Sequence, residues 1–186
     1  MSRAGAPPPR GLDLAAFVRE IVALTGPDLD PPTVHRFLAD VALEPAALEP
    51  VARFVAGRYT RHLLHKSPAV EVLALCWAPG SRAPIHGHEG ELCWARVEQG
   101  ELDFTSYREL SRQPLRVEPV GPAVTGGPGY VDGPADIHAV DTRSGDPRGA
   151  VSLHVYCRPY DECDIYDLER GQVRRVRLSY DSVWTP

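Results

Sequence analysis

The chain has 186 residues, with 20 lysines and arginines against 25 aspartates and glutamates, and a formal charge of −5. That length suits one domain with a sizeable core, and an acidic balance without a basic run speaks against a nucleic-acid or membrane-surface partner. No apolar run approaches a membrane span and the start of the chain lacks the apolar centre of a secretion signal, so a cytoplasmic protein is expected.

Residues 1–10, with Pro7-Pro8-Pro9, read as an extended or disordered tail ahead of a single domain over 11–186. Leu12 to Leu24 places Leu14, Phe17, Val18, Ile21 and Val22 on one helical face and stops at Gly26-Pro27. Pro32 to Val41 repeats the pattern with Val34, Phe37, Leu38 and Val41, and Glu44 to Phe54 gives a third, short helix. This helical lead, 11–56, is expected to pack outside a β-barrel over 57–186 and to carry no chemistry.

From Tyr59 the pattern turns to strands. The candidates are Arg61–Leu64, Val70–Trp77, Leu92–Glu98, Glu101–Arg108, Leu115–Val120, Gly129–Val131, Ile137–Asp141, Ala150–Tyr156, Cys163–Leu168 and Val173–Leu178. Pro79-Gly80 reads as a turn and Glu98-Gln99-Gly100-Glu101 as a tight hairpin. Many short strands between Gly/Pro turns make a mainly β barrel or sandwich. The four cysteines, Cys76, Cys93, Cys157 and Cys163, form no C-x-x-C pair. A zinc knuckle is therefore not expected, and free thiols are. Cys76, inside an apolar run, reads as a small buried hydrophobe.

The most informative stretch is Gly80 to Gly100. His86 and His88 point to the same face if the segment is extended, because strand side chains alternate. Both imidazoles then reach one metal ion at the mouth of the barrel. The spacing of Gly80, His86, His88, position 93 and Gly100 resembles the first motif of the cupin superfamily, which implies a double-stranded β-helix fold. That motif usually carries glutamate where this chain has Cys93. A cysteine there resembles the cysteine dioxygenase family of thiol dioxygenases.

Other segments carry the same resemblance from about Tyr59 to Tyr166. Tyr59-Thr60-Arg61 is similar to the segment whose arginine holds the substrate carboxylate. Leu75-Cys76-Trp77 also matches. Ser152, His154 and Tyr156 fall on one face of a strand and resemble the family's Ser–His–Tyr relay. Asp132-Gly133-Pro134-Ala135-Asp136-Ile137-His138 loosely resembles the second cupin motif and makes His138 the preferred third ligand; His154 is the alternative but belongs to the relay.

The resemblance implies an Fe(II) enzyme that adds both atoms of O2 to the sulfur of L-cysteine. Three neutral histidines leave an open face on the metal and keep its positive charge for a thiolate. Arg61, helped by Tyr59, would grip the carboxylate. Tyr156 would stand over the metal, set by His154 and Ser152. In animal members of the family the residues matching Cys93 and Tyr156 form a thioether, whereas bacterial members commonly have glycine at the cysteine position; the crosslink is therefore open to this chain.

Arg158 stands where the family usually has Ser-Pro-Pro. Relatives acting on 3-mercaptopropionate recruit an arginine near this turn, so a related thiol acid, including mercaptosuccinate, stays open, as does a surface role for Arg158. The competing class is a non-oxygenase metal-binding cupin, which generally keeps the carboxylate ligand and has no use for the relay. His62, His65 and the C-terminal stretch suggest no role. A monomer or small homo-oligomer is expected.

Overall fold

The computed structural model describes residues 11–26, 28–142 and 147–186. The expected tail, 1–10, lies outside the described residues. The elements are helices α1 (Leu14–Leu24) and α2 (Pro31–Asp40), then strands β1 (Tyr59–Lys66), β2 (Val70–Trp77), β3 (Arg82–Gly87), β4 (Cys93–Gln99), β5 (Leu102–Arg112), β6 (Leu115–Pro119) and β7 (Val124–Gly126). There follow β8 (Val131–Ala135), β9 (Ile137–Thr142), β10 (Ala150–Cys157), β11 (Glu162–Asp167), β12 (Gln172–Arg177) and β13 (Ser182–Val183). No helix among the described residues is long and apolar enough to cross a membrane.

Both helices open on an aspartate cap. Asp13 accepts from the Ala16 amide at 2.7 Å and Asp30 from the Thr33 amide at 3.1 Å, satisfying amides that have no partner inside the helix. The third expected helix is absent: residues 45–51 form successive turns, with Ala47 N–H donating to Glu44 O and Val51 N–H to Leu48 O. Pro45 and Pro50 explain this, since neither offers an amide and Pro50 falls where a helix interior would need one.

The strands form two sheets. One runs β13-β1-β2-β10-β4-β8 and the other β12-β11-β3-β9-β5-β6, with β7 beside β5. They face each other across a shared core. The Glu98–Glu101 corner is not the expected hairpin: β4 pairs with β10 and β8, whereas β5 pairs with β9, β6 and β7, so the chain changes sheets there. Gly100, at φ +72°, has no room for a side chain, because a Cβ would fall 2.3 Å from the Gly149 carbonyl oxygen.

Strands β2 and β10 are buried along their whole length on both faces. Their alternate residues serve different cores. Val70, Val72 and Ala74 of β2 and Leu153, Val155 and Cys157 of β10 meet Leu14, Phe17, Ile21, Val34 and Leu38 of the helices. The intervening Leu73, Leu75, Trp77 and Tyr156 face the barrel interior with Leu102, Phe104 and Val140 of the opposite sheet. Burying a side chain such as Phe17 or Leu38, both 0% exposed, contributes roughly 1.5–3 kcal/mol. The helical lead therefore closes the back of the sheet that carries the site.

Candidate active site

The three histidines converge from two elements of one sheet. His86 is the penultimate residue of β3 and lies directly across from His138 on β9. His88 follows one residue beyond the strand, and its amide donates to the Asp136 carbonyl at 3.0 Å. Their ring centres stand 4.7 to 5.1 Å apart. One nitrogen from each lies within 4.8 Å of the others.

Each imidazole is held by its other nitrogen. His86 Nδ1 meets the Pro84 carbonyl at 2.8 Å, His88 Nδ1 the Ala135 carbonyl at 2.8 Å, and His138 Nδ1 the Asp132 carboxylate at 3.2 Å. A carbonyl or carboxylate can only accept, so Nδ1 carries the proton and Nε2 is left as a lone pair in all three. His88 Nε2 is buried without any partner, which calls for a ligand. Burial, with His138 beside it, pushes His88 down to about 3, and burial lowers His86 well below the ordinary range. Neutral imidazoles aimed at a common point fit a divalent metal.

The interior face of β10 carries the relay. Trp77 Nε1–H donates to Ser152 Oγ at 2.8 Å, Ser152 Oγ lies 2.9 Å from His154 Nε2, and His154 Nδ1 lies 3.2 Å from the Tyr156 hydroxyl. Burial keeps His154 neutral and raises Tyr156 well above its ordinary value. Cys93 sits directly across the strand pair from Tyr156, and burial raises its thiol well above the ordinary value.

A cavity of about 80 Å³ joins these groups, lined by His86 and His138 on one side, His154 and Tyr156 on another, and Tyr59 and Arg61 of β1 on a third. At roughly 10–15 Å³ for each water-sized group, that space suits a ligand of about half a dozen heavy atoms. Arg61 Nε is buried and unpaired. Tyr59 stacks on Trp77 at 4.8 Å, and burial raises its hydroxyl pKa despite the neighbouring Arg61.

Arg158 lies elsewhere. Its side chain is 76% exposed and pairs with Glu91 at 2.9 Å, beside an outer groove next to the helices. His62 and His65 do not line the cavity; His62 instead bonds Thr60 and Ser182.

Several site residues carry no signal in the sequence. Tyr160 lines the cavity, its ring T-shaped to Tyr156 at 5.7 Å. Glu71, 2% exposed, faces Arg61 at 3.7 Å and Lys66 at 3.3 Å and accepts a hydrogen bond from the Tyr180 hydroxyl. Asp181 takes the Arg61 amide at 2.9 Å and returns its own amide to the Arg61 carbonyl at 2.7 Å. The C-terminal stretch thus fastens the arginine. A β-branched strand reading of Val70–Trp77 hides Glu71, and Tyr180 lies 109 residues away from it.

A double-sheet barrel whose interior gathers three such imidazoles defines a metal-binding cupin. The family model described as cysteine dioxygenase type I matches residues 4–169, and the chain belongs to that family. It is 27% identical over 183 residues to a protein named cysteine dioxygenase type 1 from Rattus norvegicus, covering 94% of this chain and 88% of that one. The human protein of the same name is 26% identical over the same shares. Among solved structures, a cupin superfamily protein from Desulfitobacterium hafniense is 17% identical with a TM-score of 0.46, covering 63% of this chain and 91% of that one.

Proposed function

We propose that this chain is an Fe(II)-dependent thiol dioxygenase that converts L-cysteine and O2 to cysteine sulfinic acid. The observation that carries the reading is a single small cavity lined by His86 and His138 of the three-histidine cluster, a buried arginine and the relay tyrosine. Family membership supports the same substrate. In the overall reaction the thiol gains both oxygen atoms: sulfur loses four electrons, O2 takes them up, and the thiol proton becomes that of the sulfinic acid.

His86, His88 and His138 would hold the metal through Nε2. When bound, Fe(II) supplies the Lewis acidity that favours a thiolate and the one-electron chemistry by which O2 reacts with it. Arg61 pairs with the substrate carboxylate, which supplies the partner its Nε lacks. Tyr59 flanks that pair. The indole of Trp77 can only donate; with the Ser152 hydroxyl free to donate to His154 Nε2, His154 Nδ1–H faces the Tyr156 oxygen. The Tyr156 hydroxyl hydrogen is thereby left free to point into the cavity, where it orients the reacting sulfur and oxygen. Neutral Tyr156 and His154, both buried, keep this face a donor without adding charge.

The cross-strand register of Cys93 and Tyr156 supports a thioether between them: the Cys93 S–H and a Tyr156 ring C–H would be lost, a C–S bond would form, and O2 would accept the two electrons and two protons. Intact mass after turnover would read the loss of two hydrogens. Arg158, paired with Glu91 outside the cavity, supports a substrate with one carboxylate over mercaptosuccinate.

The test is oxygen uptake by the Fe(II)-loaded protein with cysteine, 3-mercaptopropionate and mercaptosuccinate in parallel, with sulfinate identified by mass. Uptake with cysteine, lost in His86→Ala, is the expected result. Preference for a thiol acid without the amine would move the protein to a sister activity, and no uptake with any thiol would overturn the dioxygenase reading.

A further inference from the structure

Of the three site imidazoles, His138 alone turns its Nδ1 toward a charged group. Main-chain carbonyls hold His86 and His88, whereas His138 meets Asp132 Oδ2 at 3.2 Å. The Asp132 side chain is 13% exposed. Its charge is therefore only weakly screened. Burial, with the Asp132 carboxylate beside it, raises the Tyr130 hydroxyl pKa, and the Tyr130 ring rests on Phe104 of the barrel core at 5.5 Å. The carboxylate thus lies between His138, which it bonds, and the Tyr130 hydroxyl.

The chain goes to some length to place it. Asp132 lies on β8, opposite Ala95 of β4 in one sheet, while His138 lies on β9 in the other. The corner between them is tight: Gly133 has φ +105°, and a Cβ there would fall 2.3 Å from the Cys93 carbonyl oxygen. That corner brings Asp132 behind the imidazole, and it also presents the Ala135 carbonyl to His88.

We propose that Asp132 is the charge-compensating carboxylate of the metal centre, a positioning residue that acts through His138. The inference rests on the reading that the three histidines hold a divalent cation. Accepting Nδ1–H fixes the tautomer and ring orientation and makes Nε2 a stronger donor, as carboxylates behind metal-binding histidines do. Three neutral histidines alone leave the full charge of a divalent ion uncompensated inside the barrel. Asp132 cancels one unit of it without occupying a coordination position. The centre keeps the charge of a two-histidine, one-carboxylate site together with the open face of a three-histidine one.

The test measures metal affinity directly, with Fe(II) under anaerobic conditions and with Co(II), each in competition with a chromophoric chelator. Asp132→Asn, which keeps an acceptor and removes only the charge, is expected to weaken both metals by about ten- to a hundredfold while the metal-free protein melts at an unchanged temperature. Asp136→Asn, which removes a charge from the same corner without touching His138, is expected to leave affinity within about twofold. Wild-type affinity in Asp132→Asn, or an equal loss in Asp136→Asn, would overturn the proposal. If Asp132→Asn does not fold, Tyr130→Phe, which removes the hydroxyl beside the carboxylate, takes its place; an intermediate loss of affinity is expected, and none would overturn the proposal. A wild-type protein that binds neither metal sinks this inference and the dioxygenase reading together. Expected affinities without any thiol oxidation sink the dioxygenase reading alone.

Discussion

Arg61 is a charged side chain only 13% exposed, facing a cavity that it shares with the histidine cluster. Glu71 is too far away, at 3.7 Å, to hydrogen-bond it, so the guanidinium keeps donors free for an incoming anion. A charged hydrogen bond of this kind is worth about 1.5–3 kcal/mol. Arg61→Ala is therefore expected to raise KM for cysteine by about ten- to a hundredfold and to leave oxidation of cysteamine, which has no carboxylate, nearly unchanged. Equal losses for both thiols in steady-state oxygen uptake would assign Arg61 a structural role. His86 with His88, and Ser152 with His154 and Tyr156, are legible from their two-residue spacing, whereas Tyr59, Arg61, Cys93 and His138 are marked only by the family resemblance. Glu71, Tyr160 and Asp132 gain meaning only from groups that folding brings to them, and no local pattern marks them.

At the scale of elements, β1 joins the site to the C-terminus. Its interior residues Tyr59 and Arg61 line the cavity, and the next residue, His62, points the other way to Thr60 and Ser182 and pairs with β13. Burial lowers the His62 pKa below its ordinary value, only partly offset by the bond to the Arg53 carbonyl. Because the folded value lies below the unfolded one of about 6.5, His62 contributes stability above that pH and loses it as pH falls through the folded value. Urea titrations of the metal-free protein are expected to show stability falling below about pH 6.5, with a shallower fall in His62→Gln. An identical slope in the variant would remove His62 as a source of that dependence. Strand β3 and the short β7 and β13 are absent from the sequence reading: Pro84 suppresses the signal of β3 and Gly126 that of β7, and β13 is only two residues long; pairing with neighbours decides them. The third helix fails for the opposite reason, an apolar pattern overruled by two prolines.

At the scale of the molecule, the helices, the six-stranded sheet and the cavity form successive layers. The metal site draws His86 and His138 from one sheet, with Asp132 reaching across from the other. A ligand bound there ties the two sheets together. A divalent cation at a hundred times its dissociation constant would stabilise the folded state by about 2.7 kcal/mol. For a chain of this size that corresponds to a melting temperature about 5–10 °C higher. Calorimetry with and without chelator is expected to show this difference in the wild type and none in His86→Ala; a metal-independent melting temperature in the wild type would exclude the three-histidine centre. The mainly β class and the barrel were legible because the strands are rich in β-branched residues and separated by Gly/Pro turns. The two-sheet pairing was not, since the corner at Gly100 has the local chemistry of a hairpin.

The double duty of β10 has a consequence for how this protein tolerates change. Successive residues of that strand serve either the helical core or the relay, never both. Gaining or losing one residue before Ser152 would turn the serine, histidine and tyrosine into the greasy seam under the helices and swing leucine and valine into the cavity. Point replacements along β10 would each spoil one function, whereas a single-residue insertion or deletion would destroy both at once. The lineage of such a strand should therefore vary in its letters and hold its length fixed.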